Sequence, residues 1–108
     1  MFGFFKVNED LFFEELLKDD MDIDKIEKYI NKGVNINKKD EKGQTILFSL
    51  AAKRKLEALK ILIKNGANLT LEDLHRKTIL DEAVDRNDGI MIRFLLDNGF
   101  HINHKNNS

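Results

Sequence analysis

Three short phrases recur along the chain: KGVNIN at 32–37, NGANLT at 65–70 and NGFHIN at 98–103. Their glycines, Gly33, Gly66 and Gly99, stand 33 residues apart. Self-similarity at a fixed period constrains a chain more than its composition does. Each unit is then one supersecondary element that must stack on its neighbour to bury its apolar face. Laying 38–70 over 71–103 gives identities at Asp40/Asp73, Thr45/Thr78, Ile46/Ile79, Leu47/Leu80, Leu62/Leu95, Asn65/Asn98 and Gly66/Gly99. Apolar residues match at Ala51/Val84, Ala58/Met91, Leu59/Ile92 and Leu69/Ile102, and bases at Lys53/Arg86 and Lys60/Arg93.

Each unit parses into the same parts. A polar stretch, KKDEKGQ or LEDLHRK, carries turn formers. A Thr then opens an apolar run, TILFSLAA or TILDEAV. Its hydroxyl is suited to accept from the orphan N–H groups of a first helical turn. A second run, LEALKILIKNG or GIMIRFLLDNG, has helical spacing and ends in Asn-Gly, where Gly can take the left-handed conformation that closes a helix. The expected unit is a turn, a short helix and a longer helix.

These residues resemble ankyrin repeats, in the period, the turn plus two helices and the Thr-x-Leu opening of the first helix. DEKGQTILFSLAAKRKLEALKILIKNGANLT is similar to the family pattern over nearly its whole length. The resemblance spans 38–103 and reaches back over 5–37, with FFEELL as a first helix and DIDKIEKYINKGVNIN as a second. It implies an all-α ankyrin-repeat solenoid of stacked helix-turn-helix units joined by β-hairpin-like turns. The expected organisation is one domain over 1–108, with a capping repeat at 1–37, a central repeat at 38–70 and a C-terminal repeat at 71–108.

Departures from the family pattern predict local cost. Ile46 and Ile79 replace the Pro that presets the first turn, and Phe48 and Asp81 replace the His that bonds the Thr. Arg76 replaces the turn glycine that Gly43 keeps. Arg54 and Asn87 stand where Gly is preferred between helices, and Asn tolerates left-handed geometry better than Arg. Gly89 replaces the packing residue Leu56, which costs about 1 kcal/mol in propensity. In the last helix, Met91, Ile92, Phe94, Leu95 and Leu96 lack a successor, so an exposed apolar face or weak self-association is expected there.

A formal net charge of −1 argues against a nucleic-acid binder. Cysteine is absent, which removes thiolate chemistry. The apolar N-terminal run is interrupted by Lys6, Glu9 and Asp10, and it reads as neither a signal peptide nor a membrane span. The expectation is a cytoplasmic protein. Lys, Asn and Ile supply 36 of 108 residues, a usage that points to an AT-rich and so bacterial genome.

Nothing in the sequence converges on chemistry. His101 and His104 follow Gly99 in a turn, His75 stands alone, and no Cys joins them, so no metal site is expected. Asp19, Asp20, Asp22 and Asp24 alternate like a calcium loop but lack its Gly and Glu, and they suit a helix start. The expectation is a non-catalytic chain with no cofactor, no small-molecule substrate and no membrane partner. Charge is segregated: 1–37 holds nine acids and five bases, 38–70 three acids and eight bases, and 71–108 seven acids and five bases. Lys53, Arg54 and Lys55 form a basic band.

Ankyrin relatives bind partners through turn tips and inner-helix ends. Carried over by register, that implies Glu41, Lys42 and Gln44 at one tip, Leu74, His75 and Lys77 at the next, and Ala52, Lys53, Asp85 and Arg86 at helix ends. The same register points to Asp19 and Asp20 in the first unit. Leu74, apolar among charges, is the best single candidate. The expected function is binding and masking of one protein partner, of which a bacterial immunity protein neutralising a toxin is the narrow form. The alternatives are a chaperone-like accessory of an enzyme and a nucleic-acid binder working through Lys53–Lys55.

Overall fold

The computed structural model of the chain describes residues 8–100. Six helices follow in pairs: α1 (Glu9–Leu17) with α2 (Ile23–Asn31), α3 (Ile46–Ala52) with α4 (Leu56–Lys64), and α5 (Ile79–Asp85) with α6 (Gly89–Asp97). No strand occurs among the described residues. The helices of each pair pack on one another, and the first helices stack α1 on α3 and α3 on α5. This is the expected all-α solenoid.

The core follows the repeat. Leu47 and Leu80, with Phe12 before them, lie buried along the stacked first helices. Ile26, Leu59, Leu62 and Leu95 fill the second helices. Full burial of one such side chain stabilises by about 1.5–3 kcal/mol. Neither helix of a pair could bury this surface alone, so the units are mutually dependent. Met91, expected on the uncovered face of α6, is buried instead. The i, i+3, i+4 spacing turns Met91, Phe94 and Leu95 inward and leaves Ile90 and Leu96 exposed.

The polar stretches between pairs are two hairpins of the same build. In the first, Asp40 N–H donates to the Gln44 carbonyl at 2.9 Å, and the Asp40 carboxylate accepts from Lys42 N–H and Gln44 N–H. In the second, Asp73 N–H donates to the Lys77 carbonyl at 2.9 Å, and the Asp73 carboxylate accepts from His75 N–H and Lys77 N–H. These bonds are the physical content of the Asp40/Asp73 identity. They hold the Asp73 carboxyl below its usual range, the Lys77 N–H first among the causes. The hairpins touch directly: Leu74 N–H donates to the Lys42 carbonyl at 3.0 Å, and Lys39 Nζ donates to the Glu72 carbonyl at 3.0 Å. A Cβ on Gly43 would lie 2.9 Å from the Leu74 nitrogen, so this glycine is what lets the second hairpin close on the first.

Arg54, Arg76 and Asn87 all have positive φ, at 54°, 64° and 58°. The left-handed positions predicted from their register are therefore occupied by side chains that pay a steric cost.

Two sequence expectations need correction. Thr45 stands at the N-cap of α3, but its hydroxyl makes no capping bond and is buried without a partner. Thr78 does cap α5: its hydroxyl accepts from Asp81 N–H, while the Asp81 carboxylate accepts from Thr78 N–H. The third residue of α3 is Phe48, which has nothing to return, so the reciprocal box cannot close there. The second correction concerns the first repeat. α2 and α4 start 33 residues apart, yet the ends of α1 and α3, Leu17 and Ala52, are 35 apart. The α1–α2 loop is two residues longer, so a single register does not carry through this unit.

Counted from the helix ends, Glu15 takes the place of Leu50 and Ala83, and like them it is buried. Its carboxylate accepts from Asp22 N–H at 2.8 Å and from Lys18 Nζ at 3.1 Å. The longer loop thus folds back over α1 onto a buried acid. Those bonds, that of Asp22 N–H first, hold the carboxyl of Glu15 below its usual range.

Candidate partner-binding surface

The two hairpins touch and the first helices that follow them stack, so hairpins and first helices run on as one continuous side of the repeats. Lys77 at the base of the second hairpin forms an ion pair with Asp85, the last residue of α5. The helix end therefore lies beneath its own hairpin. Ala52, the last residue of α3, holds the equivalent register position one repeat earlier, and it is exposed.

On this side the structure exposes Glu41 and Lys42 at the first tip, Leu74 and His75 at the second, and Lys53 after α3. Leu74 is 72% exposed, the most open of the large apolar side chains described. Its backbone bond to Lys42 sets it beside the first tip rather than away from the stack. Gln44 is half-buried and helps hold Asp73.

Other predicted contacts are engaged within the chain. Lys77 and Asp85 hold each other, which raises the pKa of Lys77 above the usual range. Arg86 lies 3.6 Å from Glu82. Asp19 pairs with Lys55 and is held below its usual range by that contact. Asp19 and the exposed Asp20 fall in the long α1–α2 loop, past the end of α1, and so off the helix-end position that a single register assigned them.

The basic band is not a band in space. Lys55 goes to Asp19, and Arg54 goes to Asp88 at the start of α6. Only Lys53 keeps its charge free. These pairings have no short-range signature, because each joins neighbouring repeats across more than 30 residues.

Arg76 and Val84, which the register does not mark as contacts, are also open. Arg76 is an exposed cation at the second tip, 3.8 Å from Glu72. Val84 matches the buried Ala51 by register but is 57% exposed, since no described helix covers it as α5 covers α3.

A cavity of about 170 Å³ opens between α1 and the first hairpin, lined by Asp10, Phe13, Lys38, Gln44 and Ser49 among others. A larger groove, about 430 Å³, runs along α2 past Lys25, Lys28 and Tyr29. Among the described residues no three His, Cys, Asp or Glu side chains are placed to hold a metal. No described helix is long and apolar enough to cross a membrane. His101 and His104 lie outside the described residues.

The comparisons with known proteins agree with this geometry. A family model of ankyrin repeats in three copies matches residues 14–106. An alpha-latroinsectotoxin of the spider Latrodectus tredecimguttatus is 35% identical over 57 residues, 53% of this chain and 4% of that protein. A putative ankyrin repeat protein of fowlpox virus is 26% identical over 101 residues, 91% of this chain and 15% of the relative. The apicidin F cluster transcription factor of Gibberella fujikuroi is 33% identical over 58 residues, 54% of this chain and 15% of its own length. None of these three sources is bacterial, and the chain spans no more than 15% of any of the three proteins. Three registered copies and three stacked helix pairs place the chain in the ankyrin-repeat family, whose units serve as non-catalytic modules of protein–protein interaction.

Proposed function

We propose that the chain binds one macromolecular partner through the hairpin tips and inner-helix ends, and acts by covering part of that partner's surface. Glu41, Lys42, Ala52, Lys53, Leu74 and His75 form the contact face. The observation that carries this reading is Leu74. A large apolar side chain held open at a tip by backbone bonds has no core to fill, and burying it against a partner would stabilise the complex by about 1.5–3 kcal/mol. Asp19, Lys77, Asp85 and Arg86 act on the shape of the face through their ion pairs rather than as open contacts. The organisation that fits is a capping repeat at 1–37, a central repeat at 38–70 and a C-terminal repeat at 71–108. Neutralisation of a toxin, as by an immunity protein, is the narrower form of this activity.

The test is capture of partners from the native host with tagged protein, beside a variant carrying Leu74→Asp and Lys53→Glu. Circular dichroism confirms that the variant folds. One stoichiometric partner, lost in the variant, is the expected result, and its identity decides the narrower form. A partner retained equally by the variant would remove the tip face from consideration.

A further inference from the structure

The chemistry of the partner follows from which charges on this face remain open. Of the acids in the two hairpins, Asp40 and Asp73 are taken up by hairpin N–H groups, and Glu72 lies against Arg76. Glu41 alone is left without a bond. On the basic side, Lys38, Lys42 and Lys53 are exposed and form no ion pair, whereas Arg54, Lys55, Lys77 and Arg86 all do. Asp40 and Asp73 keep their charge but spend their acceptor oxygens inside the hairpins, whereas Lys38 and Lys42 stand open around the first tip against the single open acid Glu41. The Lys42 carbonyl accepts from Leu74 N–H, so the open apolar side chain adjoins one of these open lysines.

We infer that this face takes an acidic segment of a partner protein carrying one apolar side chain, which seats against Leu74 while flanking carboxylates meet Lys42 and Lys53. The inference rests on the tip face proposed above and names the chemistry that face selects. Exposed lysines steer an acidic chain in and set its register, while the apolar contact supplies the desolvated centre. The same arrangement repels a basic segment.

The experiment is an NMR titration of the ¹⁵N-labelled full chain with three synthetic peptides: polyglutamate with one central leucine, polyglutamate alone, and polylysine with one central leucine. The first peptide should shift the amides of Lys42, Lys53 and Leu74, and bind more tightly than the second. Binding should weaken as salt is raised. The double variant Lys42→Glu, Lys53→Glu should lose at least about tenfold in affinity, about 1.4 kcal/mol. Leu74→Ser should abolish the advantage of the leucine peptide over plain polyglutamate. Shifts concentrated on α2, preference for the lysine peptide, or no shift at millimolar peptide would each overturn the acidic assignment. The capture experiment separates the two levels. A native partner lost with Leu74→Asp while the acidic peptide fails to bind leaves the tip face standing and removes its acidic preference. A native partner retained with Leu74→Asp removes both.

Discussion

Arg54 grips Asp88 with two nitrogens, Nε 3.0 Å from one carboxylate oxygen and Nη2 2.9 Å from the other. The same carboxylate accepts from Met91 N–H at 3.1 Å and so caps α6. Arg54 holds this grip from a left-handed backbone, φ 54°, at a position where glycine would sit without strain. The arginine is thus tolerated there because its fork ties the α3–α4 loop to the start of α6. This separates two costs that substitution can test. Arg54→Gly loses the ion pair and relieves the backbone; Arg54→Ala loses the pair and keeps the strain. Urea unfolding should rank wild type above Arg54→Ala, and Arg54→Gly above Arg54→Ala by about 1 kcal/mol. Equal stability of the two variants would mean that the left-handed backbone carries no cost at this loop.

The pH dependence follows from the four lowered carboxyls, Glu15, Asp19, Asp73 and Asp88, of which the two least exposed to solvent among those that bind a cation are Asp88 and Glu15. Asp88 is held below its ordinary value first by Arg54 and then by Met91 N–H. Glu15 is held low first by Asp22 N–H and then by Lys18. A group whose folded pKa is depressed contributes stability that is complete above its unfolded pKa and is lost as pH falls through the folded one. Unfolding temperature should therefore be flat from neutrality down to about pH 5 and fall progressively below it, where unfolded carboxyls begin to protonate. Asp88→Asn should be less stable at pH 7 and lose less on acidification. A wild type whose stability rises on acidification would contradict the sign.

Gly43 and Arg76 hold equivalent places in the two hairpins and should respond oppositely to substitution. Gly43 has φ 79°, and an added Cβ would press on the Leu74 backbone nitrogen. Gly43→Ala should cost about 2–3 kcal/mol, from the left-handed backbone and the weakened bond between hairpins. Arg76 has φ 64° and an exposed side chain. Arg76→Gly should gain up to about 1 kcal/mol, since the backbone cost it relieves outweighs the exposed Glu72 pair it loses. Thermal unfolding of both variants checks the contrast.

How far the sequence reaches depends on whether a residue acts within its own repeat. The helix pairs, the hairpin aspartates and the left-handed sites at Arg54, Arg76 and Asn87 were all legible, because each is fixed by local geometry that recurs with the period. Contacts between repeats were not legible. Arg54–Asp88 and Lys55–Asp19 dissolve a basic run that looks continuous in the sequence, and neither pairing has a signature at short range. Glu15 was hidden for another reason. The two extra residues after α1 shift its register, so an acid in a core position reads as an ordinary surface residue until the helix end is known. The same shift moved Asp19 and Asp20 off the helix end. The tip residues Lys42 and Leu74 were found because a hairpin tip stays a tip whatever its neighbours do.

The two threonines provide the last test. Each opens an inner helix, yet only Thr78 makes the reciprocal cap with Asp81, and the Thr45 hydroxyl is buried without a partner. A capping hydroxyl is worth about 0.5–2 kcal/mol, whereas a buried unpartnered polar group costs about 1–3 kcal/mol. Replacing each by the near-isosteric valine should therefore give opposite signs. Thr78→Val should destabilise by about 1 kcal/mol, and Thr45→Val should be neutral or stabilising. Urea unfolding of the two variants under one set of conditions decides it. A destabilising Thr45→Val would show that the hydroxyl does find a partner, with the Thr45 cap then formed as the sequence led one to expect.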